Sequence, residues 1–195
     1  MPATCARRAS LRLRMTAILM RLPRQRVCKR AGDWRAGWQS AAVQITLINR
    51  QRRVRFDAKR LRQIAAMSLA ECVRHSGDGL FALKQIPVIE VAVVSDAVIA
   101  RVHVEFMGVP GATDVITFDH GEIVVSADTA SAQAGEHGHD VVGELALYII
   151  HGLLHLNGHD DLAPRDRAKM HRVQDRIWSG VLANKRRPNA RSLPS

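Results

Sequence analysis

Four of the chain's nine histidines fall within 21 residues: His151, His155, His159 and His171. Two of them form His151-Gly152-Leu153-Leu154-His155. That spacing puts two side chains on one face of a helix, close enough to reach one ion. Neutral imidazole suits zinc and its first-row neighbours. Gly158 lets the chain leave such a helix and turn back, so a residue just past it can complete the set. His159 and Asp161 both stand there. Three protein ligands with one position left for water is the arrangement of a catalytic rather than a structural zinc site. The setting strengthens this reading. The pair is embedded in Leu145-Ala146-Leu147-Tyr148-Ile149-Ile150 and Leu153-Leu154, where buried imidazoles without a partner are costly.

The same helix spacing occurs in metallopeptidases, where a Glu directly after the first His is the general base. Here that residue is Gly152. Peptide hydrolysis is left without its base and becomes a minor alternative.

The elements that must position this pair can be read from periodicity. Val43–Ile48 alternates as a half-buried strand, and Val54–Phe56 reads as a second short strand. Asp57 is placed to cap a helix through about Arg74, with Leu61, Ile64, Ala65, Ser68, Leu69 and Cys72 at helical spacing. The β-branched run 86–95 reads as a central strand, and Ser95 as the cap of a helix from Asp96 to about Glu105. Two strands, 114–118 and 122–126, stand at hairpin spacing. Helices at 128–136, 140–156 and 164–181 close the pattern, the last carrying Ala168, His171, Val173, Gln174, Ile177 and Trp178 at helical spacing. The fold class is α+β: a single domain, a mixed β-sheet of about four to five strands packed with helices, and the metal-site helix near the C-terminus.

Charge is unevenly placed. The net charge is +11, yet residues 1–40 hold ten Lys/Arg against Asp33 alone, and Lys185, Arg186, Arg187 and Arg191 crowd the end. The stretch between is close to neutral, which argues against a broad electrostatic footprint for nucleic acid. The expected division is a basic, disordered leader at 1–42, the folded domain at 43–183 and a basic tail at 184–195. Thr16–Met20 is too short for a signal-peptide core and ends at Arg21. No stretch approaches the ~20 apolar residues that cross a bilayer, so no membrane partner is expected. Three scattered cysteines with no CxxC pair point to a reducing compartment.

Taken together in order, the motifs resemble those of the YbeY family, single-strand-specific metal-dependent endoribonucleases linked to ribosomal RNA maturation. His151-Gly-Leu-Leu-His155-Leu-Asn-Gly158-His-Asp-Asp161 is similar to that family's H-G-x-L-H-L-x-G-[Y]-D-H. Ala112-Thr113-Asp114-Val115-Ile116-Thr117-Phe118 resembles its P-T-D-V-L-S-F, and Gly121–Ser126 its G-D-I-x-I-S. Glu144 stands where the family has a Glu upstream of the first His. The resemblance covers about residues 43 to 180.

It implies one Zn(2+) per chain, held by His151, His155 and Asp161, with a metal-bound water as the attacking group and support from Glu144. Thr113, Asp114 and Ser126 become substrate-binding candidates. The implied partners are single-stranded RNA, ribosomal RNA and the small ribosomal subunit. The implied task is cytoplasmic maturation of the 16S 3′ end and ribosome quality control. Alternatives are an RNA-binding factor with a structural metal, or a metallohydrolase of another substrate. Three positions depart from the family: Asp161 replaces its third His, His159 its Tyr, and Met107 an Arg, in a segment expected beside the metal cleft. His159 is the rival third ligand. It lies eight residues past His151, roughly 12 Å along a straight helix, and joins only if the chain turns sharply at Gly158. His103, His120, His137 and His139 are expected to be solvated, and His171 to be a face residue of the last helix.

Overall fold

The computed structural model describes residues 18–20, 43–79 and 82–183. The rest of the leader and the tail from residue 184 lie outside the described residues. Five strands form one mixed sheet: β1 (Ile18–Met20), β2 (Gln44–Asn49), β3 (Val88–Val94), β4 (Val115–Phe118) and β5 (Glu122–Ser126). Their order across the sheet is β1-β4-β5-β3-β2. β4 and β5 are the antiparallel hairpin, joined by a turn in which Gly121 adopts φ 108. The pairs β1 with β4, β2 with β3 and β3 with β5 are parallel. The apolar patch of the leader thus supplies an edge strand.

Alternation along the inner strands sorts the helices. Ile89, Val91 and Val93 of β3, Val115 of β4, and Ile123 and Val125 of β5 share one core with α1 (Ala58–Cys72), α3 (Ala127–His137), α4 (Val141–Leu156) and α5 (Pro164–Ala183). Ala92 and Val94, Ile116 and Phe118, and Val124 face the other way, onto α2 (Asp96–Met107). Because α4 is apolar all round, it lies buried on nearly every side, as such a helix must. α1 and α5 are amphipathic and flank it.

Two local expectations are corrected. Val54–Phe56 is not a strand. The side-chain amide of buried Gln51 donates to the Val54 carbonyl at 3.0 Å and accepts its N–H at 2.9 Å, so the backbone is satisfied within a loop and needs no sheet partner. Ser95 precedes α2 but makes no side-chain cap. The Asp96 N–H is taken instead by the Asp128 carboxylate of α3, at 2.9 Å.

Gly152 is where α4 meets the sheet. A Cβ there would stand 2.8 Å from Thr117 Oγ1 and 3.0 Å from Ile123 Cγ2. The position that carries a peptidase's Glu is therefore the point of closest helix–sheet approach, with no room for any side chain. Gly→Ala in an exposed helix is stabilising by about 1 kcal/mol, whereas here overpacking reverses the sign. We expect Gly152→Ala to destabilise the protein by roughly 1–3 kcal/mol, read from urea unfolding midpoints. A gain in stability would show that the helix can lift off the sheet freely.

Candidate metal centre

α4 ends in a Schellman turn. The Gly158 N–H bonds to the His155 carbonyl at 3.0 Å and the His159 N–H to the Leu154 carbonyl at 3.0 Å, with Gly158 at φ 83. Asn157, buried in this turn, fastens it to the end of α1. Its amide donates to the carbonyls of Cys72 at 2.7 Å and His75 at 2.9 Å, and its Oδ1 accepts the Leu83 N–H at 3.1 Å. Gly77 and Gly79 cross so close to Gly158 that a Cβ on Gly77 would sit 2.1 Å from the Gly158 oxygen. The reversal is thereby fixed, and the chain beyond it returns along α4.

It returns with Asp161 facing the two histidines. Asp161 Oδ2 lies 3.9 Å from His151 Nε2, and Oδ1 lies 4.0 Å from His155 Nε2. The two Nε2 atoms are 3.0 Å apart. One ligand atom from each of the three residues falls within 4.8 Å of the others, the only such His/Cys/Asp/Glu group among the described residues. His159 goes elsewhere: its Nε2 contacts the His75 carbonyl at 2.9 Å.

The outer bonds of the imidazoles determine what their inner nitrogens offer. His151 Nδ1 meets Gln174 Oε1 at 2.9 Å, and His155 Nδ1 meets the His159 carbonyl at 3.1 Å. Both partners accept, so both Nδ1 atoms carry the proton and both Nε2 atoms present lone pairs. Two lone pairs and a carboxylate therefore converge with no donor among them. This donor set fits a divalent cation of the zinc type. A proton is a poor substitute, because burial drives the His151 imidazole down to about 4 and, with His151 beside it, the His155 imidazole to about 4 as well. Burial also pushes the Asp161 carboxyl upward, against the pull of His155 and Arg167. Arg167 donates through Nε to the Asp161 backbone carbonyl at 2.8 Å, holding the loop while leaving the carboxylate facing inward.

A family model described as Endoribonuclease YbeY matches residues 46–181. The chain belongs to the endoribonuclease YbeY family. That membership makes it an endoribonuclease, a hydrolase. Endoribonuclease YbeY of Kineococcus radiotolerans is 33% identical in an alignment of 117 residues that covers 51% of this chain and 68% of that protein. The Myxococcus xanthus protein of the same name is 32% identical in an alignment of 119 residues that covers 53% of this chain but only 40% of its own length. A Thermotoga maritima protein solved in solution aligns over 77% of this chain and 99% of its own, with 23% identity and a TM-score of 0.46.

The remaining residues singled out by the YbeY resemblance lie apart from the histidine pair. Glu144, fully buried, turns its two carboxylate oxygens to His137 Nδ1 at 3.0 Å and His139 Nδ1 at 3.1 Å. His139 also packs on Trp178, with ring centroids 4.2 Å apart. His137 and His139, read from the sequence as solvated, are thus tied down by a carboxylate. His103 is likewise buried, its Nδ1 2.9 Å from the Gly111 carbonyl. His120 is exposed beside Glu122. Thr113 donates to Asp114 Oδ1 at 3.0 Å, and the same oxygen accepts the Val115 N–H at 2.9 Å. Burial raises the Asp114 carboxyl against these bonds. The Ser126 hydroxyl accepts the Thr129 N–H at the start of α3 and donates to Asp96, joining the starts of two helices. Met107, at the end of α2, packs against the cluster of Ala92, Val94, Ile99, Ile116, Phe118 and Val124, on the face of the sheet opposite the core that holds α4.

Sequence reading missed Gln174 and Arg167. Gln174 carried a legible signal, a glutamine in the buried stripe Met170, Gln174, Ile177, Val181. Arg167 carried none, because its contacts are to backbone.

Two outcomes are expected. Gln174→Leu removes the acceptor that fixes His151 while nearly keeping its volume, and should weaken zinc affinity on the order of 10- to 100-fold in competition with a chromophoric chelator. Gln174→Glu keeps an acceptor and should bind as the parent does. Equal affinity in the Leu variant would show that the ring needs no outer partner. The second outcome concerns pH. Each imidazole is protonated less readily folded than unfolded, so its contribution is intact above about 6.5 and is lost as pH falls toward about 4. In chelator, the urea midpoint should fall between pH 7 and 5, and His151→Asn should lessen that fall. An equal fall in the variant would assign the effect to other histidines.

Proposed function

We propose that this chain is a zinc-dependent endoribonuclease that cuts single-stranded RNA and acts in ribosomal RNA maturation, at the 16S 3′ end and in quality control of the small subunit. The observation that carries the reading is the convergence of His151 Nε2, His155 Nε2 and the Asp161 carboxylate, with both imidazole protons committed outward. Membership of a family described as Endoribonuclease YbeY supplies the substrate class. The three residues would hold one zinc per chain. Bound there, the ion would polarise a phosphoryl oxygen and lower the pKa of a water in its open position.

The chain's own residues do the rest. Gln174 and the His159 carbonyl hold the two rings in one tautomer, and Arg167 holds the Asp161 loop. Both histidines are buried and only the Asp161 side chain keeps an exposed edge, so solvent and substrate reach the centre from the side of the Gly158–Leu162 loop. Burial of both histidines favours a flexible single strand over a stiff duplex as the substrate. We assign Glu144 a holding role. It lies two helical turns before His151, roughly 10 Å along the axis, with its carboxylate engaged by His137 and His139. Cytoplasmic placement accords with a buried free Cys72 and with the lack of any described helix long and apolar enough to cross a membrane.

The test pairs metal content with cleavage of an RNA that carries both duplex and single-stranded segments. About one zinc per chain is expected in the parent and in Asp161→His, little in His151→Ala and Asp161→Ala, and full content in His159→Ala. Cleavage should fall in the single-stranded segments, track metal content across these variants and stop in chelator. Full metal in Asp161→Ala with loss in His159→Ala would exchange the third ligand. Full metal without any cleavage would replace the enzyme by an RNA-binding factor with a structural ion.

A further inference from the structure

The folded domain is close to neutral only as an average. Residues 50–62 hold seven Lys/Arg against Asp57 alone, while the rest of 43–183 holds eight against sixteen acids. The excess is therefore concentrated in the loop after β2 and the first turn of α1. Arg50, Arg52, Arg53, Arg55, Lys59 and Arg62 are all exposed. Among the described residues none of these six has an ion-pair partner. The backbone that carries these exposed cations is held in place. Gln51 closes the loop from inside through its two bonds to Val54, its own N–H rests on Asn49 Oδ1 at 3.2 Å, and the Arg50 N–H bonds to the Val93 carbonyl at 2.9 Å. A loop with a buried polar anchor and a guanidinium at nearly every other position is a comb of cations on a fixed backbone.

We infer that this comb, Arg50 to Arg62, is a second RNA-binding element that grips the phosphodiester backbone away from the metal centre. The inference rests on the endoribonuclease reading for the identity of its polyanion. Its position fits that partner. Arg60, in the same segment, pairs with Asp140, the N-cap of α4. His151 lies eleven residues further along that helix, roughly 16 Å. A strand threaded into the centre would need to extend several nucleotides beyond the cut to meet the comb. Guanidinium groups bind phosphate oxygens with a fork geometry, and such contacts carry no base preference. The comb adds affinity and register while the buried centre does the chemistry.

The test uses the full chain in chelator, so that nothing is cut. The probe is a fluorescein-labelled 20-nucleotide single-stranded RNA, and the readout is anisotropy across a salt series. Each phosphate neutralised on a single strand contributes about 0.7 to the slope of log K against log salt. The triple variant Arg52→Ala/Arg53→Ala/Arg55→Ala should therefore flatten the slope by about 2 and weaken binding on the order of 10-fold or more at low salt. Arg52→Lys/Arg53→Lys/Arg55→Lys should restore most of the slope, and Lys84→Ala/Arg101→Ala, elsewhere on the surface, should leave it unchanged. Unfolding midpoints and zinc content should match the parent in all. An unchanged slope and affinity in the Ala variant would overturn the inference, and would leave the endoribonuclease reading standing if the zinc-loaded parent still cleaves. Binding that depends on the comb, in a parent that never cleaves with zinc, would overturn that reading and keep the comb. Preferential retention on phosphatidylserine vesicles, lost in the Ala variant, would assign the comb to a membrane surface and overturn the RNA element.

Discussion

Two imidazole lone pairs that face each other at 3.0 Å in a dry interior repel, and the centre depends on how that repulsion is answered. Each Nδ1 is directed outward to an oxygen, Gln174 Oε1 in one ring and the His159 carbonyl in the other, so both inner nitrogens keep their lone pairs. Protonation is disfavoured by burial. What remains is a cation, and the Asp161 carboxylate at the open side makes a cation more favourable than it would be between imidazoles alone. The Nε2 pair is thus a statement about charge as much as geometry. The protein holds a site whose electrostatic deficit a cation would fill.

Keeping that deficit in place requires a rigid frame, and most of the fold supplies it. α4 lies at Gly152 directly against the side chains of Thr117 and Ile123, with no side chain of its own between, which fixes the depth of His151 and His155. Its end is held by Asn157, which spends three hydrogen bonds on the α1 terminus and on Leu83. α5 then reaches back with Gln174 and Arg167, one to a ring and one to a backbone. These contacts tie the sheet, α1 and α5 to α4 and to the loop that follows it. A small slip of α4 would break all of them together, so ligand geometry and core packing are one property of this molecule.

Much of this was legible in the residues. The order of helices and strands, the β4–β5 hairpin, the Asp57 cap and the helical histidine pair followed from periodicity and turn chemistry. The Val54–Phe56 strand did not survive, because a glutamine side chain can satisfy a backbone as well as a neighbouring strand can, and pattern reading weighs only the apolar residues. Met107 was placed beside the centre by order along the chain, yet strand alternation sends α2 to the opposite face of the sheet. His137 and His139 looked solvated because they border a glycine. Their partner, Glu144, is close in sequence but becomes their neighbour only when α3 and α4 fold together. Outer-shell contacts such as Arg167 to a carbonyl leave no trace in residue type at all.

The distribution of cations follows from the same electrostatics. A guanidinium aimed at the Asp161 carboxylate would compete with any ion at the centre. Among the described residues the arginine that approaches, Arg167, is occupied by the carbonyls of Asp161 and Leu162. The remaining positive charge that a polyanionic substrate needs must then stand where it cannot collapse inward. The segment after β2 meets that condition: its Arg60 pairs with Asp140 at the start of α4, its loop is closed by its own glutamine, and its other arginines face solvent. Separation of the gripping charges from the ligating ones lets both coexist in a domain whose total charge is near zero.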